Sequence, residues 1–304
     1  MARDAKLNAV GCVYRPKSKY GSLLQNDTFF FFKKGVCNVS NEYLVCLIFI
    51  MSLEGSKVNE KYPVMNGAEP FYFEGNSIGI LVSHGFTGTT QSMRPLGEAF
   101  RKAGYTVCGP RLKGHGTHYE DMERTVYQDW ISSVEAGYQW LKERCDTIFV
   151  AGLSMGGTLT LYMAEQYPEI KGIIPINAAL RIPDMESAKD LEDARFLEAI
   201  GSDIKNPNVK ELAYEKTPVR SIKEILKLME IVRNNLHKVS CPTLILVSNE
   251  DHVVPPDNSQ MIYETISSKE KELIRLENSY HVATLDHDQP LIIEKSLQFV
   301  KKYS

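Results

Sequence analysis

The sequence holds no Cys-x-x-Cys pair, no apolar run near 20 residues and no block of one charge. Each absence removes a class of function. The six cysteines (Cys12, Cys37, Cys46, Cys108, Cys145, Cys241) are scattered, which argues against a zinc ribbon or a thioredoxin-type redox site. Cys108 and Cys241 sit in or beside apolar strand-like runs and read as small buried hydrophobes. Such usage suits a reducing compartment, so a cytoplasmic protein is expected. A net charge of -3, with no basic run interleaved with aromatics, gives no electrostatic case for nucleic acid or an anionic membrane surface. Hydrophobic and charged contents of 43% and 24% are ordinary for a globular chain.

The first fifty residues do not match the rest. They carry Phe29-Phe30-Phe31-Phe32-Lys33-Lys34 and then Leu44 to Ile50, an apolar run too short to cross a bilayer, which takes about 20 residues. It also lies too far from the N-terminus for a standard signal peptide. Three readings compete: a membrane-associating or targeting arm, an extra structured element, or a stretch upstream of a true start at Met51. The third is favoured, because Met51-Ser52-Leu53-Glu54-Gly55 reads as an ordinary polar N-terminus and everything after it fits one domain. Residues 1–50 are therefore expected to be a non-native or disordered extension. The Asn26-Asp27-Thr28 and Asn38-Val39-Ser40 glycosylation patterns inside it carry no weight.

What is present centres on Ile148 to Leu159. A short apolar run of strand type breaks at Gly152-Leu153-Ser154-Met155-Gly156 and continues as a helical pattern. Strand, Gly-x-Ser-x-Gly and helix is the context of a nucleophile elbow. Gly152 and Gly156 keep the turn tight enough to hold the Ser154 hydroxyl out at a helix N-terminus, which favours a nearby oxyanion. Upstream, Phe71–Phe73 and Ile78–Val82 read as strands. The second runs into Ser83-His84-Gly85-Phe86-Thr87-Gly88, where the Phe86 N–H could give one oxyanion donor and the Met155 N–H the other. Losing one such donor typically costs about 2.7–4 kcal/mol of barrier. His84 reads as a structural hydrogen bonder beneath that loop. Ser92 through Gly104 reads as a helix with Ser92 at its N-cap, Tyr105–Cys108 as a strand, and Gln128–Arg144 as an amphipathic helix. His115 and His118 lack a third ligand at a useful spacing, so no metal is expected.

After the strand Ile170–Asn177, about sixty residues precede the strand Pro242–Val247, far beyond an ordinary loop. They carry helical signals at Asp190–Ile200 and from Ser221, where Glu224 completes a capping box. Residues 179–238 therefore read as a helical cap inserted in a core of 51–178 and 239–304. The cap's apolar side chains either pack onto the core or line an acyl-chain pocket. Asp251 follows the next strand and is preferred as the acid over Glu250 and Asp257. His281 follows the strand Glu272–Leu276 and is preferred as the base over His252 and His287. The order Ser154, Asp251, His281 is that of the α/β-hydrolases. Gln289–Tyr303 reads as a closing helix with Pro290 in its first turn. Alternating strands and helices predict an α/β class with a mostly parallel sheet covered on both faces.

Several stretches together carry a family resemblance: His84-Gly85-Phe86-Thr87-Gly88, Arg111 to Met122, Gly152 to Gly157, Glu250 to Pro256 and Asn278 to Thr284. Residues 61–303 resemble the bacterial monoacylglycerol lipases of the α/β-hydrolase family, which overlap with bacterial carboxylesterases. The resemblance implies the α/β-hydrolase fold and hydrolysis of monoacylglycerols to fatty acid and glycerol through an acyl-enzyme, with no metal or cofactor. It also implies that Ile200 lies near the acyl chain and that Glu211 helps recognise the glycerol hydroxyls, although a solvated surface Glu is the default for such a residue. The cap departs most from the family around residues 183–196. The alternative within the same chemistry is a broad short-chain carboxylesterase. A non-catalytic ligand-binding relative is disfavoured, because no triad member or oxyanion glycine is missing. A cap with its own apolar face would touch membranes transiently to take up lipid. Oligomeric state is not readable.

Overall fold

The computed structural model describes residues 31–32, 35–36, 59–188, 191 and 194–304. The expectations for the rest of residues 1–50 and for the start at Met51 lie outside the described residues. Phe31–Phe32 (β1) pairs antiparallel with Gly35–Val36 (β2). All other described elements belong to one unit, Leu53–Ser304.

That unit is built on a seven-stranded sheet. Its strands are Phe71–Phe73 (β3), Ile78–Ser83 (β4), Thr106–Gly109 (β5), Thr147–Leu153 (β6), Gly172–Ile176 (β7), Thr243–Ser248 (β10) and Lys271–Leu276 (β11). Their spatial order is β11-β10-β7-β6-β4-β5-β3. Every pairing is parallel except β3 on β5, at one edge. The expected α/β fold with a mostly parallel sheet is borne out. Strands buried on both faces need apolar side chains in both directions. Leu81, Val150, Ile173 and Ile245 enter one core, while Ile80, Phe149, Ile174 and Leu244 enter the other. Each large side chain so buried contributes roughly 1.5–3 kcal/mol.

Helices cover the two faces. Tyr127–Lys142 (α3) and Met155–Gln166 (α4) supply Trp130, Val134, Leu159 and Leu161 to the first core. Arg94–Lys102 (α1) and Gln289–Tyr303 (α8) supply Leu96, Phe100, Ile292 and Val300 to the second. A short helix, Tyr119–Glu123 (α2), precedes α3, and Asp257–Thr265 (α7) connects β10 to β11 and packs against both. One group on α4 is anomalous. Both carboxylate oxygens of Glu165 are buried without a partner among the described residues. Burial pushes its pKa up to about 8, against a lowering pull from Lys238.

The stretch between β7 and β10 contains Pro183–Ala188 (α5), Phe196–Glu198 (β8), Lys216–Pro218 (β9) and Val219–Asn235 (α6). It is not purely helical. The helix expected over 190–200 is corrected at its C-terminal end, where β8 pairs antiparallel with β9. The Ala199 N–H donates to Glu215 O and the Val219 N–H to Arg195 O, extending the pairing past both strand ends. This non-local pairing overrides the local helical signal. Residues 189, 190, 192 and 193 of that expected helix lie outside the described residues. The capping box at Ser221 is also corrected. The helix starts at Val219, because Pro218 fixes φ at -66° as its N-cap. Ser221 instead donates to Met122 O, and Glu224 accepts from the Tyr127 N–H. Ile225, Leu228, Met229 and Val232 join the first core, so this face of α6 packs with α3 and α4 on one side of the sheet. Ser92 likewise does not cap α1. A single 3-10 turn, Thr90–Ser92, precedes it, and Pro95 sits in the first turn of the helix proper.

Candidate active site

Only Ser154 separates β6 from α4. Its backbone is at φ 57° and ψ -119°, a conformation that costs a non-glycine residue on the order of 1–3 kcal/mol. Main-chain bonds hold it there. The Ser154 N–H donates to Ile176 O at 2.9 Å, and Ser154 O accepts from the Thr158 and Ala179 N–H groups. A Cβ on Gly152 would fall 2.1 Å from Gly156 O, and one on Gly156 would fall 2.2 Å from Ser83 O. The glycines two before and two after the serine are thus demanded by backbone packed on backbone. The N-terminus of α4 beside Ser154 favours negative charge.

The loop after β4 runs close over this turn. A Cβ on Gly85 would lie 3.2 Å from Ser154 Cβ and 3.7 Å from its Oγ. His84 is buried beneath, with Nδ1 3.0 Å from Gly85 O and Nε2 accepting the Leu112 N–H at 3.2 Å. Those partners require the proton on Nδ1. Burial lowers the His84 pKa to about 4, so the ring is neutral near pH 7. Because the Gly85–Phe86 peptide is planar and trans, fixing the Gly85 carbonyl on His84 turns the Phe86 N–H the opposite way. The Phe86 ring packs edge-on against Trp130 and His115. His115 is buried with Nδ1 near Lys113 O, and His118 accepts the Glu120 N–H at the start of α2. Among the described residues no group of three His, Cys, Asp or Glu could hold a metal ion.

Asp251 follows β10, and its side chain is almost wholly buried. Oδ1 accepts the Val253 and Val254 N–H groups, at 2.9 and 2.8 Å. Oδ2 lies 2.8 Å from His281 Nδ1. This contact places the imidazole proton on Nδ1 and leaves a lone pair on Nε2. Burial opposes charge on His281, but Asp251, Glu211 and Asp203 together hold its pKa above the ordinary histidine value. The rivals turn elsewhere. Glu250 pairs with Lys205, Asp257 opens α7, His252 is mostly exposed against Asp203, and His287 is exposed.

Glu211 comes to the oxyanion loop. Its Oε1 lies 2.6 Å from where a Cβ on Gly88 would be, so a side chain there would push the Glu211 carboxylate aside. Burial raises its pKa to about 7, against lowering pulls from His281 and Ser92. Ile200 is 63% exposed and lies between β8 and Gly201, so the structure does not bury it at the site. Sequence reasoning missed Asp203. Its Oδ2 accepts the main-chain N–H groups of His281 and His252, at 3.1 and 3.2 Å. These partners lie 78 and 49 residues away, and no local pattern marks Asp203.

A strained serine between β6 and α4, a glycine loop over it and a buried Asp–His pair after β10 and β11 form the arrangement of a serine hydrolase. Residues 78–288 match the family described as serine aminopeptidase, S33. The chain belongs to that family, on the α/β-hydrolase fold. This α/β-hydrolase is 62% identical, over 249 residues, to the thermostable monoacylglycerol lipase of Bacillus sp. (strain H-257), covering 81% of this chain and 100% of that one. It is 33% identical to a carboxylesterase of Bacillus subtilis (strain 168), over 77% of this chain and 96% of the relative. Among solved structures, one from work on the metagenome-derived lipolytic enzymes LipS and LipT matches with a TM-score of 0.77 and 54% identity. That match covers 79% of this α/β-hydrolase and 100% of the solved chain.

Proposed function

We propose that the protein is a serine esterase that hydrolyses monoacylglycerols to fatty acid and glycerol. One observation carries the chemistry: Asp251 fixes His281 through a buried 2.8 Å contact, with the neutral Nε2 left as a base for the strained Ser154. His281 Nε2 takes the Ser154 proton as Oγ attacks the ester carbonyl. The oxyanion is held by the Phe86 and Met155 N–H groups. The tetrahedral intermediate collapses, and the glycerol oxygen leaves with the proton from His281. Water then gives its proton to His281 and attacks the acyl-Ser154 carbonyl. Collapse returns the proton to Ser154 Oγ and frees the fatty acid. His84 serves this step indirectly, by holding the Gly85 carbonyl so that the Phe86 N–H stays turned away from it.

The 62% identity to a monoacylglycerol lipase supports that substrate class. Glu211, turned inward over Gly88, suits recognition of the glycerol hydroxyls, and the exposed Ile200 and Leu191 side chains suit contact with an acyl chain or a lipid surface. Among the described residues no helix is long and apolar enough to cross a membrane. Free Cys108, Cys145 and Cys241 suit a reducing, cytoplasmic setting. The division into a core of 51–178 and 239–304 with an insertion at 179–238 is part of the same proposal, as is the dispensability of residues 1–50.

Glycerol release from monoacylglycerols of graded chain length, set against p-nitrophenyl esters, tests this reading. The full chain, a chain begun at Met51 and Ser154→Ala are compared. Preference for monoacylglycerols, lost by a factor on the order of 10⁶ in Ser154→Ala, is expected. Turnover of short activated esters alone would sink the monoacylglycerol assignment in favour of a broad carboxylesterase.

A further inference from the structure

Asp203 sits in the inserted stretch, yet it touches both loops that carry the acid and the base. Its Oδ2 accepts the His281 and His252 main-chain N–H groups, its Oδ1 lies 2.9 Å from His252 Nδ1, and its carbonyl accepts the Val282 N–H at 3.0 Å. His252 directly follows Asp251. One residue therefore fixes the main chain beside the acid and at the base.

The join is reciprocal. Asp286, from the base loop, accepts the Lys205 and Asn206 N–H groups of the inserted stretch at 2.7 and 3.0 Å, and the Tyr280 and His287 N–H groups of its own loop. At the other end, the Tyr214 N–H donates to Thr87 O, and the Gln91 side chain bridges Lys210 O and the Leu212 N–H. The stretch from 203 to 214 runs as a strap from the base loop to the oxyanion loop, with Glu211 along it.

We propose that Asp203 is a positioning residue for His281, setting where the imidazole stands and adding its negative charge to the field on that ring. The inference rests on the serine-esterase reading. The Asp251 contact alone fixes the ring's tautomer but not the main chain that carries it. A displacement of about 1 Å at a reacting group can cost on the order of a hundredfold in rate. The acids facing the His281 ring are Asp251, Glu211 and Asp203. Facing Asp203 is the His252 ring, which itself stacks edge-on against Tyr280, and the Lys205–Glu250 pair lies beside it.

The test uses the full chain as wild type, Asp203→Asn, Asp203→Ala and His252→Ala. It measures labelling of Ser154 by a fluorophosphonate and the pH profile of kcat/KM. Asp203→Asn keeps an oxygen for the two N–H donors but removes the charge. Its acid limb is expected to move to lower pH, because an imidazole with fewer anionic neighbours loses its proton more readily. Asp203→Ala is expected to lose kcat by tenfold or more, of the order set by misplacement, with KM nearly unchanged. His252→Ala leaves the main-chain bonds and should lose far less kcat. A purely structural aspartate would lower thermal stability without moving the limb. An unmoved limb in Asp203→Asn, with Ser154 labelled in the wild type, overturns this inference alone. Wild-type protein that reacts at a residue other than Ser154 overturns the esterase reading and this inference with it.

Discussion

Around Ser154 the chain is held by main chain packed on main chain, whereas around His281 it is held by carboxylates, Asp286 from its own loop and Asp203 from a distant stretch. The elbow places Gly152 against Gly156 and Gly156 against Ser83, main chain on main chain. The base loop owes its position to Asp203 and Asp286, which between them accept six main-chain N–H groups. A site fixed by backbone contact fails when an atom is added. One fixed by hydrogen bonds to charge fails when an acceptor is removed.

The sharpest way to break that comparison is Gly156→Ala. Its Cβ would meet Ser83 O at 2.2 Å, so the turn must open. Loss of kcat by at least about a hundredfold is expected, since the displaced atom is the nucleophile itself. Ester turnover and a thermal melt check it together, and near-normal kcat would mean the turn tolerates bulk. Asp286→Ala should come next. It strands four main-chain N–H groups, and one buried unsatisfied group costs about 1–3 kcal/mol. A fall of 3 kcal/mol or more by urea denaturation is the expected size on that scale, and a fall within 1 kcal/mol would show that water replaces the carboxylate.

The reach of sequence follows the same divide. The elbow, the oxyanion glycines and the order Ser154, Asp251, His281 were legible because each is a short pattern tied to the end of an apolar strand. The parallel sheet was legible because strands buried on both faces need continuous apolar runs. The insertion was legible as a length, but not as a structure. The β8–β9 pairing joins 196–198 to 216–218, and nothing local to either segment announces it. Asp203 was invisible for the same reason, its partners lying 49 and 78 residues further along the chain. His84 was readable as a hydrogen bonder, but its role in turning the Gly85–Phe86 peptide shows only in the folded loop.

A subtler probe of the carboxylate-held side is pH. His281 must be neutral to accept the Ser154 proton, and its pKa is raised above 6.5 against the effect of burial. Activity should therefore be full well above that value and fall as pH drops through the raised pKa, earlier than for an ordinary histidine. Glu211→Gln removes one of the carboxylates responsible, and the acid limb of kcat/KM should move to lower pH. A limb that stays put would show that Asp251 and Asp203 set it without Glu211.

Glu165, on the helix that begins at the nucleophile, has a consequence for shelf life. Its folded pKa, about 8, lies above the 4.5 of an exposed glutamate. Folding therefore retains a proton that the unfolded chain gives up between those values, and stability declines as pH rises until the native carboxyl also ionises near 8. Preparations kept mildly acidic should outlast alkaline ones, and they would be reactivated by returning to neutral pH before use. Glu165→Gln carries no such proton, so its melting temperature should vary less with pH across that interval. Equal slopes for the two proteins would place the alkaline weakness elsewhere.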